Sequence, residues 1–213
     1  MTINDSRDSC LDLVVDDVTT LLDRAPGRVV VGITGPPGAG KSTMALAMVA
    51  SFGGAAYLPM DGFHLSNAAL DRLGCRDRKG AIDTFDAAGY LATLVRVAGE
   101  FGRRDVYVPA FDRRLDEPIA AGHIVPAASR LVITEGNYLG VPDGDWAAVR
   151  PLLNRLYYVD CSPQVRRERL VVRHIDGGRT SEEAQAWVNE VDELNARLIA
   201  TTRQFCDRVV DRC

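Results

Sequence analysis

The sequence predicts an α/β fold, a three-layer sandwich with a mostly parallel central sheet and a helical lid, on three observations. Short apolar runs of strand length alternate with helical stretches along most of the chain, which is the pattern of a parallel sheet covered on both faces. The first of these runs, Arg28-Val29-Val30-Val31-Gly32-Ile33-Thr34, leads directly into Gly35-Pro36-Pro37-Gly38-Ala39-Gly40-Lys41-Ser42-Thr43, a match to G-x-x-x-x-G-K-[ST]. Helix formers follow at once in Met44-Ala45-Leu46-Ala47-Met48, so strand, phosphate-binding loop and helix stand in the order the motif requires.

The first element is an amphipathic helix: Leu11, Leu13, Val14, Val18, Leu21 and Leu22 recur at helical spacing until Ala25-Pro26-Gly27 stops them. It is expected to cover a sheet edge. After the loop and its helix, Ser51-Phe52-Gly53-Gly54 breaks the pattern and Ala55 to Met60 resumes as a short buried strand that delivers Asp61 to its C-terminal end. Ser66 and Gly74 bracket a short helix, followed by a polar loop from Cys75 to Thr84. Asp86 caps a helix running to Gly99, and Val106 to Pro109 and Arg130 to Glu135 read as strands, the second apolar enough to be central. Trp146 to Leu153 reads as helix and Arg155 to Asp160 as strand. Pro163 opens an arginine-rich helix that ends at Gly177-Gly178. A long helix follows with Val188, Val191, Leu194 and Leu198 along one face, and Val209-Val210 closes the chain as a last strand.

The bulk numbers bound this picture. A chain of 213 residues, 46% hydrophobic and 25% charged, buries one substantial core, so residues 1–213 are expected to form a single domain with a lid over about 163–180. The formal net charge of −4 argues against nucleic acid or an anionic membrane as partner, because both need a net basic face. Five cysteines, odd in number and never C-x-x-C, suggest neither a disulfide framework nor a zinc site. With no basic and apolar leader and no apolar run of membrane-span length, a soluble cytoplasmic protein is expected. A homodimer is left open.

The chemistry follows from residue types at strand ends. Glycines let the loop's backbone N–H groups turn inward around a polyphosphate, the new helix aims its positive dipole end at the same anion, and Lys41 adds a mobile charge. Ser42 is placed to ligate Mg²⁺. Phosphoryl transfer also needs a carboxylate to orient and deprotonate the acceptor, and Asp61, directly after a buried strand and before flexible Gly62, is the candidate. Glu135 ends its apolar strand in a Walker-B-like position, with Glu in place of Asp, where it can organise Mg²⁺. Arg166, Arg169 and Arg173, at i, i+3 and i+7, share one helix face and can close over a triphosphate. The competing class is a P-loop NTPase that switches or drives assembly. A GTPase would show N-K-x-D after a later strand, which this chain lacks.

Together these residues resemble the P-loop kinase family of uridine kinases, phosphoribulokinases and type I pantothenate kinases, and in particular its compact bacterial members of the nucleoside/nucleotide kinase and fructose transport system kinase types. Met60-Asp61-Gly62-Phe63 is similar to the family's D-[GS]-F segment, Arg78-Lys79-Gly80 with Phe85-Asp86 to the R-K-G…[FY]-D stretch of pantothenate kinases, Pro109-Ala110-Phe111-Asp112 to P-x-Y-D of uridine kinases, and Ile133-Thr134-Glu135-Gly136 to [IV]-x-E-G. Departures fall on the acceptor side, where Asp112 and Arg113 stand in place of P-Y-S-H, and Arg113 in place of the aromatic after P-x-Y-D. The resemblance implies a P-loop NTPase fold and a Mg-ATP-dependent kinase that phosphorylates a hydroxyl of a small metabolite. A nucleoside-like acceptor is favoured, with a pantothenate-like acid or a sugar as alternatives. It implies catalytic roles for Asp61, Lys41 and Arg169, and nucleotide binding by Gly35, Pro36, Pro37, Gly38, Ala39, Gly40, Lys41, Ser42 and Thr43 with Arg166 and Arg173. It also implies metal binding by Ser42 and Glu135, and acceptor contacts from Asp61, His64, Arg78, Lys79, Phe111 and Arg113.

Overall fold

A computed structural model describes residues 5–211. Among them the central sheet has five parallel strands in the order β2-β5-β1-β6-β7: β1 is Val29–Thr34, β2 Ala56–Pro59, β5 Leu131–Glu135, β6 Arg155–Asp160 and β7 Arg208–Asp211. All six residues of β1 and all five of β5 are buried, as strands covered on both faces must be. Alternation along β1 divides the core: Val29, Val31 and Ile33 face one side and Val30 the other. On the first side lie α1 (Asp5–Arg24) and α2 (Lys41–Ser51), with Val14, Val18, Met44 and Met48 packed on the sheet. On the second lie α4 (Ala87–Gly99), through Tyr90, Leu94 and Val97, and α8 (Glu193–Thr201), through Ile199. Burying each such side chain contributes about 1.5–3 kcal/mol.

The expected three layers and parallel sheet are therefore observed, with four local corrections. Helix α1 lies across a sheet face rather than along its edge, and Asp17 bridges it to Arg155 of β6 at 3.0 Å and Arg208 of β7 at 3.2 Å. The strand beginning at Val106 is not in the central sheet. It runs Val106–Asp112 as β3 and pairs antiparallel with β4 (Glu117–Val125), a strand hidden from periodicity because it is largely exposed and rich in small residues. The helix expected over Trp146 to Leu153 is one turn, α5 (Gly144–Ala147), and a 3₁₀ turn over Arg150–Leu152 that contains Pro151. The long last helix is three pieces: α7 (Ser181–Trp187), a π-helical turn over Val188–Asp192, and α8. The π turn inserts one residue, so Val188 and Val191 stay buried, but Asn195 and Ile199 then replace Leu194 and Leu198, which are 57% and 37% exposed.

Between these elements lie α3 (Asn67–Leu73), capped by the Ser66 hydroxyl and ended by Gly74, and α6 (Pro163–Asp176), capped by Ser162. Cys75 and Cys206 are free thiols, whereas Cys161 is disulfide-bonded, against the expectation for the cysteines. Among the described residues no helix is long and apolar enough to cross a membrane.

Candidate active site

The carboxyl ends of β1, β5 and β2 are neighbours, with Ile33 and Pro59 both in register with Glu135. In a parallel sheet these ends face a crevice where loops can converge, and here a cleft of about 300 Å³ opens there. The loop after β1 forms its floor. Its Gly40 is left-handed and starts α2, so the first amides of that helix have no intrahelical partner, and its first residues Lys41 and Ser42 line the cleft. Gly38, also left-handed, packs against α6 so closely that a Cβ there would lie 2.8 Å from the Arg166 carbonyl oxygen.

Lys41 is buried and its Nζ donates to the Pro36 carbonyl at 3.1 Å, across its own loop. Burial pushes its ammonium down to about 8, against the pull of Glu135 and Asp61. Glu135, 3% exposed, accepts from the Tyr57 hydroxyl at 2.8 Å and lines the cleft together with Ser42. Burial, with the charge of Asp61 added, holds it above the usual carboxylate range. Asp61 sits in a 3₁₀ turn over Met60–Phe63 that leaves β2. Burial would raise it too, but the charges of His64, Arg113, Arg173 and Lys41 outweigh that and keep it low. Two carboxylates are thus driven apart, one held ionised and one awaiting a cation.

Arg113, at the turn after β3, pairs with Asp61 at 3.1 Å. His64 lies between Phe85 and Phe111, with ring centroids 4.0 and 4.7 Å away, and its Nδ1 meets the Asp61 carbonyl at 2.8 Å. Burial lowers its pKa. Lys79 donates to Asn67 at 2.7 Å, pairs with Asp116 at 3.0 Å and stands over the Phe111 ring. Arg78, its chain neighbour, is not brought to the cleft and pairs at the surface with Asp83.

The arginine stripe divides. Arg166 is buried against Glu193 at 3.1 Å and donates to the Pro37 carbonyl at 3.3 Å; Arg169 donates to the Gly38 carbonyl at 3.3 Å. Both brace the loop from outside. Arg173 alone lines the cleft, open to it on one side yet desolvated enough by surrounding protein to lower its pKa. Thr43 is exposed and does not line it. Sequence reasoning passed over Asn137, Trp187, Asp192 and Asn195, which line the cleft, and Tyr57, which bonds Glu135. Tyr57 alone carried a signal, as the polar-tipped residue two before the end of a buried strand.

This arrangement can grip a polyphosphate between backbone amides and Lys41, and present an ionised carboxylate to a second molecule. Among the described residues no group of three or more His, Cys, Asp or Glu could hold a metal on its own. Ser42 and Glu135 could supply two oxygens to one that brings its other ligands with it.

Known proteins resemble this chain over most of its length. Residues 30–213 match the model of the family described as "Phosphoribulokinase / Uridine kinase family". A protein of Schizosaccharomyces pombe named "Putative uridine kinase C227.14" is 33% identical over 184 residues, covering 81% of this chain and 78% of that protein. "Uncharacterized protein YggC" of Escherichia coli is 35% identical over 184 residues, 83% of this chain and 75% of its own. The crystal structure of a "putative fructose transport system kinase" from Silicibacter sp. TM1040 superposes with a TM-score of 0.85 at 33% identity, over 93% of this chain and 98% of that one. With that match running from the loop-bearing strand to the last residue, the chain belongs to the phosphoribulokinase/uridine kinase family and is an ATP-dependent phosphotransferase.

Proposed function

We propose that this chain, acting as one kinase domain with a lid over about 163–180, transfers the γ-phosphoryl group of Mg·ATP to a hydroxyl of a small metabolite. The observation that carries the proposal is the low-pKa carboxylate of Asp61, which lines the same cleft as Lys41 but lies on a different strand end. Asp61 accepts the proton of the acceptor hydroxyl as that oxygen forms its bond to the γ-phosphorus, and the bond from the γ-phosphorus to the β-bridging oxygen breaks to release ADP. Lys41 and Arg173 face the charge that spreads over the γ-phosphoryl oxygens. Arg166 and Arg169 keep the loop in shape from behind.

Magnesium fits the residues present. Glu135 is a buried carboxylate whose ionised form lacks a full counter-charge, and Ser42 lines the cleft with it. Hard oxygen donors of this kind, few in number, suit an ion that keeps several waters and shares phosphate oxygens. Bound there, it would neutralise phosphate charge.

A nucleoside-like acceptor is the first class to test, in line with the name of the fission-yeast relative. The alternative of a pantothenate-like acid has support from the cations Lys79 and Arg113 around the acceptor end. Coupled ADP release, screened over nucleosides, pantothenate and sugars with Lys41→Ala as control, tests the proposal. Acceptor-dependent turnover that falls at least ~10²-fold in the control supports it. ATP hydrolysis indifferent to every acceptor would favour a switch-type NTPase instead.

A further inference from the structure

One guanidinium at the acceptor end has no task in the reaction as described. Arg179, just past the Gly177-Gly178 break, sits over the Trp187 ring, with its guanidinium carbon 3.5 Å from the ring centroid. Its backbone N–H is fixed on the His174 carbonyl at 3.1 Å. Among the described residues no carboxylate or carbonyl pairs with its side-chain N–H groups. The other cations there are engaged: Arg113 with Asp61 and Lys79 with Asp116. A stacked arginine keeps its N–H edge free in a fixed plane, the geometry that takes a carboxylate or phosphate through two parallel hydrogen bonds.

The aromatic groups point the same way. Phe85 and Phe111 are stacked against His64, Phe111 also carries the Lys79 ammonium at 5.1 Å, and Trp187 carries Arg179. Phe111 and Trp187 thus carry cations toward the cleft and Phe85 is covered by the His64 ring, so none of the three offers a bare face for a neutral base. A cleft of about 300 Å³ is also at the small end for ligand sites and must admit the γ-phosphoryl group as well.

We infer that the acceptor is a small hydroxy compound bearing an acidic group, a carboxylate or a phosphate monoester, which Arg179 binds while the hydroxyl faces Asp61. Lys79 adds charge beside it, and Trp187 is a positioning residue that holds the guanidinium in place. The inference rests on the kinase reading, of which it names the substrate class.

The test compares wild type, Arg179→Gln and Arg179→Lys against D-glycerate and pantothenate, ribose 5-phosphate and glycerol 3-phosphate, and uridine and fructose. ADP release gives kcat and KM, and calorimetry gives binding of each acceptor without turnover. Acidic acceptors should exceed neutral ones at least ~10²-fold in kcat/KM, and whether acids or phosphate esters lead identifies the anion. Arg179→Gln should raise the KM of the preferred acidic acceptor ~10–100-fold and leave the KM of ATP unmoved. Arg179→Lys, which keeps charge but loses the fork, should recover part of it. A neutral nucleoside or sugar as best acceptor, or an Arg179→Gln variant with unchanged acceptor KM, overturns the inference and leaves the kinase reading intact. If no acceptor is phosphorylated, the kinase reading fails. Calorimetry then decides the anion site alone: acid binding lost in Arg179→Gln supports it, and equal binding or none removes it.

Discussion

Replacing Asp61 by Asn separates the role of this residue in transfer from any role in holding the fold. The two side chains have the same shape, and the structure limits what else can change. The His64 ring is bonded to the main-chain carbonyl of Asp61, not to its carboxylate, so the 3₁₀ turn keeps that contact. The ion pair that is lost has an Arg113 side chain 57% exposed, and such pairs contribute about 0–1 kcal/mol to stability. Stability should therefore hardly move. Nucleotide affinity should hold or tighten, since the variant takes one negative charge away from a site that must accept a polyphosphate beside Lys41 and Glu135.

Transfer is another matter. An amide cannot take the acceptor proton, and loss of a positioned general base costs about 10²–10⁴ in kcat, or about 3–5 kcal/mol of transition-state stabilisation. The assay sets single-turnover phosphoryl transfer beside calorimetric ATP binding and thermal unfolding for both proteins. The expected pattern is a large loss in the first and near-identity in the other two. Wild-type transfer rates would refute the base assignment and pass the role to Asp112 or Glu135; a joint fall in all three would mean that Asp61 is structural.

Three further expectations concern the loop and its brace. Gly38→Ala and Gly40→Ala both force a left-handed backbone, at about 1–2 kcal/mol each, but only the former places a Cβ against Arg166 and Leu170; at Gly40 the nearest atom is 4.0 Å away. The melting temperature should fall further for Gly38→Ala, and equal losses would show that contact with α6 is immaterial. Glu193→Gln removes one partner of a buried ion pair, with side chains 6% and 11% exposed, and should cost about 3 kcal/mol in urea unfolding. Glu100→Gln, breaking the exposed pair with Arg104, should cost under ~1 kcal/mol; similar values for the two would contradict the brace. Hydrogen exchange with and without an ATP analogue should slow from Arg173 toward Arg179 more than around Arg166, which is already held by Pro37 and Glu193. Uniform protection, or none, would remove the lid.

The limits of sequence reading follow from how each half of the site is assembled. The phosphate half is contiguous: one strand, one loop and one helix start, with Asp61 and Glu135 marked as carboxylates at the ends of buried strands. Even there periodicity yields a face, not what the face meets. Arg166 and Arg173 share one side of α6, yet seven residues at 1.5 Å rise separate them by roughly 10 Å, enough for one to reach behind the loop and the other to reach the cleft. The acceptor half is drawn from the loop at 75–84, the turn after β3 and the segment beyond the lid, and small local features decide what each contributes. Lys79 enters where Arg78 turns out. The π turn moves Asn195 inward in place of Leu194, where its amide donates to the Gly80 carbonyl at 3.1 Å and ties the last helix to the loop that carries Lys79. The Tyr138 hydroxyl donates to that same carbonyl at 2.6 Å. The loop is thus fixed by two hydrogen bonds from distant elements onto a single backbone oxygen, and Lys79 stays where it can add charge beside Arg179. The half of the site that chooses the substrate depends on a helix phase shift that hydrophobic periodicity reads wrongly, and so the reaction type was legible in this chain where the acceptor was not.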